Sequence, residues 1–551
     1  MPYQKYISTN KLKLTGKDDR VEDYLNQKKQ FKMKNLKNAT LKFNGRKISA
    51  KTMFIEKLNW RVTLPKSIAI FLRDQIEKSE PFKNFKLEIA LYYLSLISSI
   101  PASRKDKPYK NGYVPLHSKL LEKVRYDYKL YFDYFLKIGL LEKINYSTQQ
   151  KRCNSYRYNF KTLKKEGVVY IENDYFTFEI RTANPELQKD QTIRAIETCP
   201  HLVEWFDHGL YFNYEQFLKD SQGMFKTNKY FEDSVQNRII LKAQNYYYSA
   251  LQMSISNFRV SRDNKSDNRL HTNLTNMPKE FKKYISYIGD EIISLDIKNS
   301  QPYFLILFVE KLLKIPLYQL KEEKRGKEGE NRIENISKKI YGNWCIMFPT
   351  LLSCASSREF AEEYTQIKNA ILSGQYYEFL GDVFDNLKPN LNVKGEEIFT
   401  GKFYNKNKSR IETLTFNSKR DMMKKISMQL LYTPLENPSE YYKAFKEKYP
   451  KLCEFMEILK TSTESKDSFK KFPKLLQHIE ADCVLDYCTK KVAEEHPDMP
   501  LFTIHDSIAT TWCWFDILNQ SILKHMNDYS DGIPPILERE DWTPSQQDTA
   551  A

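Results

Sequence analysis

The chain reads as an α+β protein. Two apolar runs, each carrying an aspartate, have the length and β-branched content of buried strands, and long helical stretches lie between them. Ahead of both, three helical segments run into a basic hairpin. With 551 residues, 41% hydrophobic and 14% aromatic, the chain has enough apolar side chains for several domains with real cores.

Charge narrows the partners. Lysine plus arginine (87) exceed aspartate plus glutamate (70), a net +17, so the long-range field favours a polyanion. Nucleic acid is the first candidate, and a solvated lysine-rich surface is the bland alternative. The first residues, "MPYQKYISTNKLKLTGKDDR", hold no apolar h-region, and runs such as "IALYYLSLISSI" fall short of about 18 uninterrupted apolar residues. A soluble, cytoplasmic protein with no membrane contact is therefore expected. The eight cysteines form no CxxC pair, which argues against a zinc ribbon and against a disulfide framework.

Taken in order, residues 1–80 are basic and polar and read as an N-terminal extension. Within 81–160, "FKLEIALYYLSLI", "VPLHSKLLEKV" and "YKLYFDYFLKIGLLEKI" read as helices with apolar residues near i, i+3 and i+4. "NYSTQQKRCNSYRYNF" then reads as strand, basic turn and strand. Helices followed by a basic hairpin fit a winged helix, which would offer Lys129, Lys151, Arg152 and Arg157 to a phosphate backbone. A small helical domain used for protein contacts is the competing reading. Residues 161–260 are mixed and aromatic-rich, 261–525 carry the chemistry, and 526–551 read as a C-terminal tail.

In "DEIISLDIKNSQPYFLILF", Glu291 to Ile297 reads as a buried strand with Asp296 near its end. "SQPYFLILFVEKLL" reads as a helix opened by Ser300 and Pro302. "LFTIHDSIATT" reads as a second strand that places His505 and Asp506 in mid-run, where an ionised carboxylate is costly without a cation or partner. Should the two strands lie side by side, Asp296 and Asp506 form a pair able to hold two divalent ions about 3.5–4 Å apart, as used for in-line displacement at phosphorus. Between them, "KRDMMKKISMQLLYTP" places Arg420, Lys424 and Tyr432 on one broad helical face. That face has cations for phosphates and a ring for base and sugar.

The order of strand aspartate, R-x3-K-x7-Y helix and His-Asp strand resembles motifs A, B and C of family A DNA polymerases and the related single-subunit RNA polymerases. "NRLHTNLTNMPKEFKKYI" resembles the arginine-bearing stretch before motif A in the DNA enzymes, with Arg269 at the arginine. "LSGQYYEFLGDVF" resembles their "VF" helix, and "LQHIEADCVLDYC" has Gln477 and Asp482 at the family's Q-x4-D spacing. The resemblance covers roughly Arg262 to Ala509. Tyr432 is followed by Thr433 and Pro434 where the family usually has glycine, and Pro434 should end the helix. Motif A reads "DIKNSQP" instead of "DYSQIEL". Gln301 stands five residues after Asp296, at the place of the glutamate that screens out ribose, whereas aligning the Ser-Gln pairs puts Tyr303 there. Motif C reads "HDS" instead of "HDE".

The resemblance implies a right-hand fold: an antiparallel palm, helical fingers, and a thumb-like helical region at 161–260. It implies two Mg2+ ions, replaceable by Mn2+, held by Asp296, Ile297 and Asp506. Arg420, Lys424, Tyr432, Gln301 and Tyr303 would meet the nucleotide, Arg269 and Gln477 the nucleic acid, and His505 the primer terminus. The expected partners are a DNA primer-template and nucleoside triphosphates. A DNA polymerase without proofreading, serving a plasmid, phage or other mobile element, is the expectation. An RNA polymerase or primase-like enzyme, a non-catalytic replication protein with a degenerate palm, and a metal-dependent nuclease are the alternatives.

Overall fold

Four consecutive buried residues, Ile292 to Leu295, make the strand Asp290–Ile297 the centre of the molecule, since both of its faces are covered. In the computed structural model the described residues run from Arg61 to Thr543, with 7–8, 40–43 and 46–49 ahead of them. Within that span 103–108, 148–152, 160–168, 171–174, 180–189, 222–228, 231–234, 316–331, 392–394, 406–409, 437 and 462–467 lie outside the description.

The central sheet is antiparallel throughout. Its strands are β1 (Leu210–Phe212), β2 (Ile285–Tyr287), β3 (Asp290–Ile297), β4 (Phe502–Ile504), β5 (Ser507–Thr511) and β6 (Leu537–Asp541). The order is β1-β2-β3-β5-β4, and β6 pairs with β3 on the edge that β2 leaves open, from Ile293↔Asp541 to Ile297↔Leu537. Four helices share the sheet's hydrophobic core: α1 (Ser300–Leu313), α2 (Tyr376–Val383), α3 (Lys419–Tyr432) and α4 (Lys471–Ala481). Helix α1 is apolar nearly all round and buried accordingly. It packs on α4, while α2 packs on α3. The α+β class is as the sequence predicts.

Two expectations change. Of the segment 526–551, the described residues 526–543 are not a tail: after the helix Phe515–Ser530 the chain returns as β6 beside Asp296. Residues 61–80 are likewise not an extension. The strand Arg61–Pro65 pairs with Tyr175–Glu179, and Val62, Leu64, Ile68 and Leu72 lie in a second hydrophobic core with the segments up to Tyr158. That N-terminal unit holds the helices Leu87–Ala102, Ser118–Val124 and Tyr128–Lys137 and a three-stranded antiparallel sheet of Val114–Pro115, Ser155–Tyr158 and Leu141–Ile144. The third helix stops at Lys137 because Gly139 takes φ +71°, a conformation that closes a helix easily only at glycine. "LLEKI" then becomes strand instead of continuing the helix.

Beyond β6, Trp542 is 3% exposed, and its indole Nε1 donates to Ser294 Oγ at 3.0 Å. Trp542→Ala is expected to cost about 3–5 kcal/mol, the range for emptying an aromatic core site. A urea unfolding curve should shift its midpoint without a change in slope.

Candidate active site

The second aspartate sits on a turn, not in a strand. Strands β4 and β5 form a hairpin closed by the pair Ile504↔Ser507, so His505 and Asp506 are its two-residue loop. Such loops need a positive φ at their first position, and His505 takes φ +60°. A residue other than glycine held there is the kind of local strain that clusters at functional sites. The same hairpin pairs with β3, Asp296 lying opposite Ser507. On the other side of β3, Asp296 lies opposite Glu538. One register therefore brings the two predicted aspartates side by side.

The electrostatics agree with that placement. Burial pushes the Asp506 carboxyl up to about 7, and the negative charges of Glu480 and Asp296 add to the rise, with Arg269 opposing it. Glu480, 1% exposed on α4, is the residue that sequence reasoning missed. Its carboxylate accepts two bonds of 2.6 Å from Arg269 Nε and Nη2, one of 2.6 Å from Gln301 Nε2 and one of 3.2 Å from Ser300 Oγ. Breaking one partner of such a buried pair generally costs about 3–5 kcal/mol. Arg269 thus answers Glu480, while Asp296 and Asp506 crowd one another. After Ala481 the helix widens to π geometry over Asp482–Cys488, a local irregularity frequent at functional sites. Asp482 turns to Arg332 and Tyr529.

Tyr432, the last residue of α3, reaches this network from the other side. Its hydroxyl donates to Gln301 Oε1 at 3.2 Å and accepts from Gln477 Nε2 at 3.4 Å. Burial pushes its phenol up to about 12, so it remains a donor at neutral pH. The departure Thr433-Pro434 stops the helix there as predicted. Lys460, 1% exposed, donates to the carbonyls of Leu430 at 2.7 Å and Thr433 at 3.3 Å, satisfying acceptors that the helix end leaves open. At the other end, Ser418 caps α3 by accepting from Asp421 N–H.

The cations of α3 are less tightly placed. Arg420 pairs with Glu378, and its guanidinium lies 5.3 Å from the centre of the Tyr377 ring. The Tyr377 phenol is raised by burial, with Arg420 lowering it and the charges of Asp506 and Glu378 adding to the rise. Lys424 is half-exposed and meets Asp421 at 3.5 Å. His505 packs edge-on to His271, ring centres 5.8 Å apart. Ile297 is buried at the end of β3 opposite Leu537, with only its backbone to offer a ligand.

Two expectations are corrected by position. Tyr303 is 1% exposed and its hydroxyl donates to the Ile533 carbonyl at 3.0 Å. It faces the core, so Gln301, not Tyr303, is the residue of this helix turn that meets Tyr432. Arg157 is 8% exposed, sits opposite Glu142 on the neighbouring strand and pairs with it at 2.7 Å, its guanidinium 4.4 Å from the centre of the Tyr113 ring. It holds the N-terminal sheet together instead of reaching for phosphate. Lys129 is exposed, and Lys151 and Arg152 lie outside the described residues.

Among the described residues no group of three or more His, Cys, Asp and Glu side chains is arranged for a metal ion. Any cation fit therefore rests on the Asp296–Asp506 pair. Two hard oxygen donors, one of them pushed up to about 7 by burial and then by the charges of Glu480 and Asp296, suit a divalent ion such as Mg2+, which commonly takes one or two carboxylates plus phosphate and water and would favour the ionised form. No helix among the described residues is long and apolar enough to cross a membrane.

No protein-family model matches the chain, and no curated protein matches it. Among solved structures, the polymerase domain of Pol1 from M. smegmatis, in complex with a DNA primer-template and dNTP, aligns with 56% of this chain at 8% identity and a TM-score of 0.26. The alignment spans 53% of that chain, and so slight a likeness carries no argument.

Proposed function

We propose that the chain is a template-directed nucleotidyltransferase that adds nucleotides to a primer, most simply a DNA polymerase. The observation that carries this reading is the register Asp296↔Ser507, which sets Asp506 beside Asp296 at one end of an antiparallel sheet. A nuclease would need that pair as well, but it gives no role to the helix that presents Arg420, Lys424 and Tyr432.

In this reading Asp296 and Asp506, with the backbone of Ile297, would hold the divalent ions. When bound, the ions lower the pKa of a primer hydroxyl and neutralise charge on the triphosphate. Burial, and then the charges of Glu480 and Asp296, push the Asp506 carboxyl up to about 7, so a divalent ion there would compete with a proton. Arg420 and Lys424 supply positive charge for the phosphates, and Tyr432 offers its ring to base and sugar. Within the N-terminal unit, the helices Leu87–Ala102, Ser118–Val124 and Tyr128–Lys137 with the three-stranded sheet support the reading of a winged helix that would contact the nucleic-acid backbone through Lys129, Lys151 and Arg152. The basic net charge supports a polyanionic partner.

Primer extension with dNTPs and NTPs in parallel tests the reading. The wild type is expected to prefer dNTPs. Gln301→Ala should relax that preference at least several-fold, because it removes the group bonded to Tyr432 where a ribose hydroxyl would enter. Equal use of both sugars by the wild type would move the reading to an RNA polymerase or primase-like enzyme.

A further inference from the structure

We propose that Glu480 is a positioning residue for sugar choice: it fixes which end of the Gln301 carboxamide faces Tyr432, and so closes the place of a 2′-hydroxyl. The inference rests on the nucleotidyl-transfer reading and adds to it a residue from an element outside the three motifs.

A carboxamide has a donor end and an acceptor end of nearly the same shape, and its orientation follows its partners. An ionised carboxylate only accepts. Glu480 takes the Gln301 amide nitrogen at 2.6 Å, so the amide oxygen is left for the Tyr432 hydroxyl at 3.2 Å. With its hydrogen so committed, the Tyr432 oxygen accepts from Gln477 at 3.4 Å. The donors therefore run one way, from Gln477 to Tyr432 to Gln301 to Glu480. Arg269 and Ser300 hold the carboxylate from its remaining sides. A ribose hydroxyl entering between Gln301 and Tyr432 would have to break a bond inside a closed series, leaving buried groups unpaired. An amide at position 480 could donate as well as accept, and the series could then reverse and offer its nitrogen to the sugar. A shorter acid would draw away from Gln301 and free its amide to turn.

The test measures kcat/KM for a dNTP and its matching NTP on one primer-template, using the full chain. The variants are Glu480→Gln, Glu480→Asp, Gln301→Ala and the double Glu480→Gln/Gln301→Ala. Each Glu480 variant should lower the dNTP-to-NTP ratio by roughly 10-fold, about what one hydrogen bond is worth, chiefly through a lower KM for the NTP. The double variant should go no further than Gln301→Ala alone, because both changes act through one amide. Proportional loss of both activities at an unchanged ratio would overturn the proposal, as would additive effects on the ratio. If thermal melts show that neither Glu480 variant folds, Glu480 is a structural anchor only and the proposal is overturned. A wild type that adds neither nucleotide would overturn the functional reading itself, whereas wild-type addition with no effect at position 480 overturns only this inference.

Discussion

Asp296→Ala and Asp506→Ala should each abolish nucleotide addition and leave primer-template binding within a few-fold of wild type. The two effects separate because affinity for nucleic acid comes mainly from lysine and arginine contacts to phosphates, whereas transfer depends on the ions the carboxylates would hold. Neither aspartate supports the sheet through a side-chain bond that the fold needs. Asp296 sits near the end of β3, where the backbone pairs with β5 and β6 on both sides, and Asp506 is on a turn. Removing the Asp506 carboxyl relieves the cost of burying its charge and its repulsion with Glu480 and Asp296. The variant should therefore melt no lower than wild type. Filter binding, melting and extension on the same preparations check all three statements, and substantial extension by either variant would sink the metal-pair assignment.

Arg420→Ala and Lys424→Ala should lower nucleotide addition by about 10²–10³-fold, the range for removing a donor aimed at charge that develops in the transition state. The loss at Arg420 is expected to be the larger. Its guanidinium is already held against the Tyr377 ring, 5.3 Å from its centre, and beside Glu378. Lys424 is half-exposed beside Asp421 and must swing toward a triphosphate when one binds. Single-turnover extension at saturating primer-template reads this directly. Weak template binding with normal addition at saturation would instead make α3 a template contact.

How much of this was legible depended on whether the cause was local. The strand at Asp290–Ile297, the helix at Ser300 and the helix ended by Pro434 follow from apolar periodicity and proline, which act over a few residues. The hairpin at His505–Asp506 was not legible. Its loop has no glycine, and β-branched residues flank it on both sides, so "LFTIHDSIATT" looks continuous; the positive φ of His505 is imposed by strands that pair around it. Glu480 reads as one more polar residue of an amphipathic helix, since the partners that bury it come from Arg269, Ser300 and Gln301, far away in the chain. Arg157 illustrates the opposite error: a basic hairpin suggests phosphate, and only the register against Glu142 shows where that charge is answered. The acidic, charged run of β6 gave no reason to expect a strand beside Asp296.

The most direct measurement is the change in length of a 5′-labelled primer annealed to a longer template, with Mg2+ and dNTPs, for the wild type beside Asp506→Asn. The primer is expected to be lengthened by the wild type to the template end, unchanged by the variant, and unchanged by the wild type when the divalent ion is chelated. A primer shortened by the wild type, or lengthened equally by the variant, would contradict it.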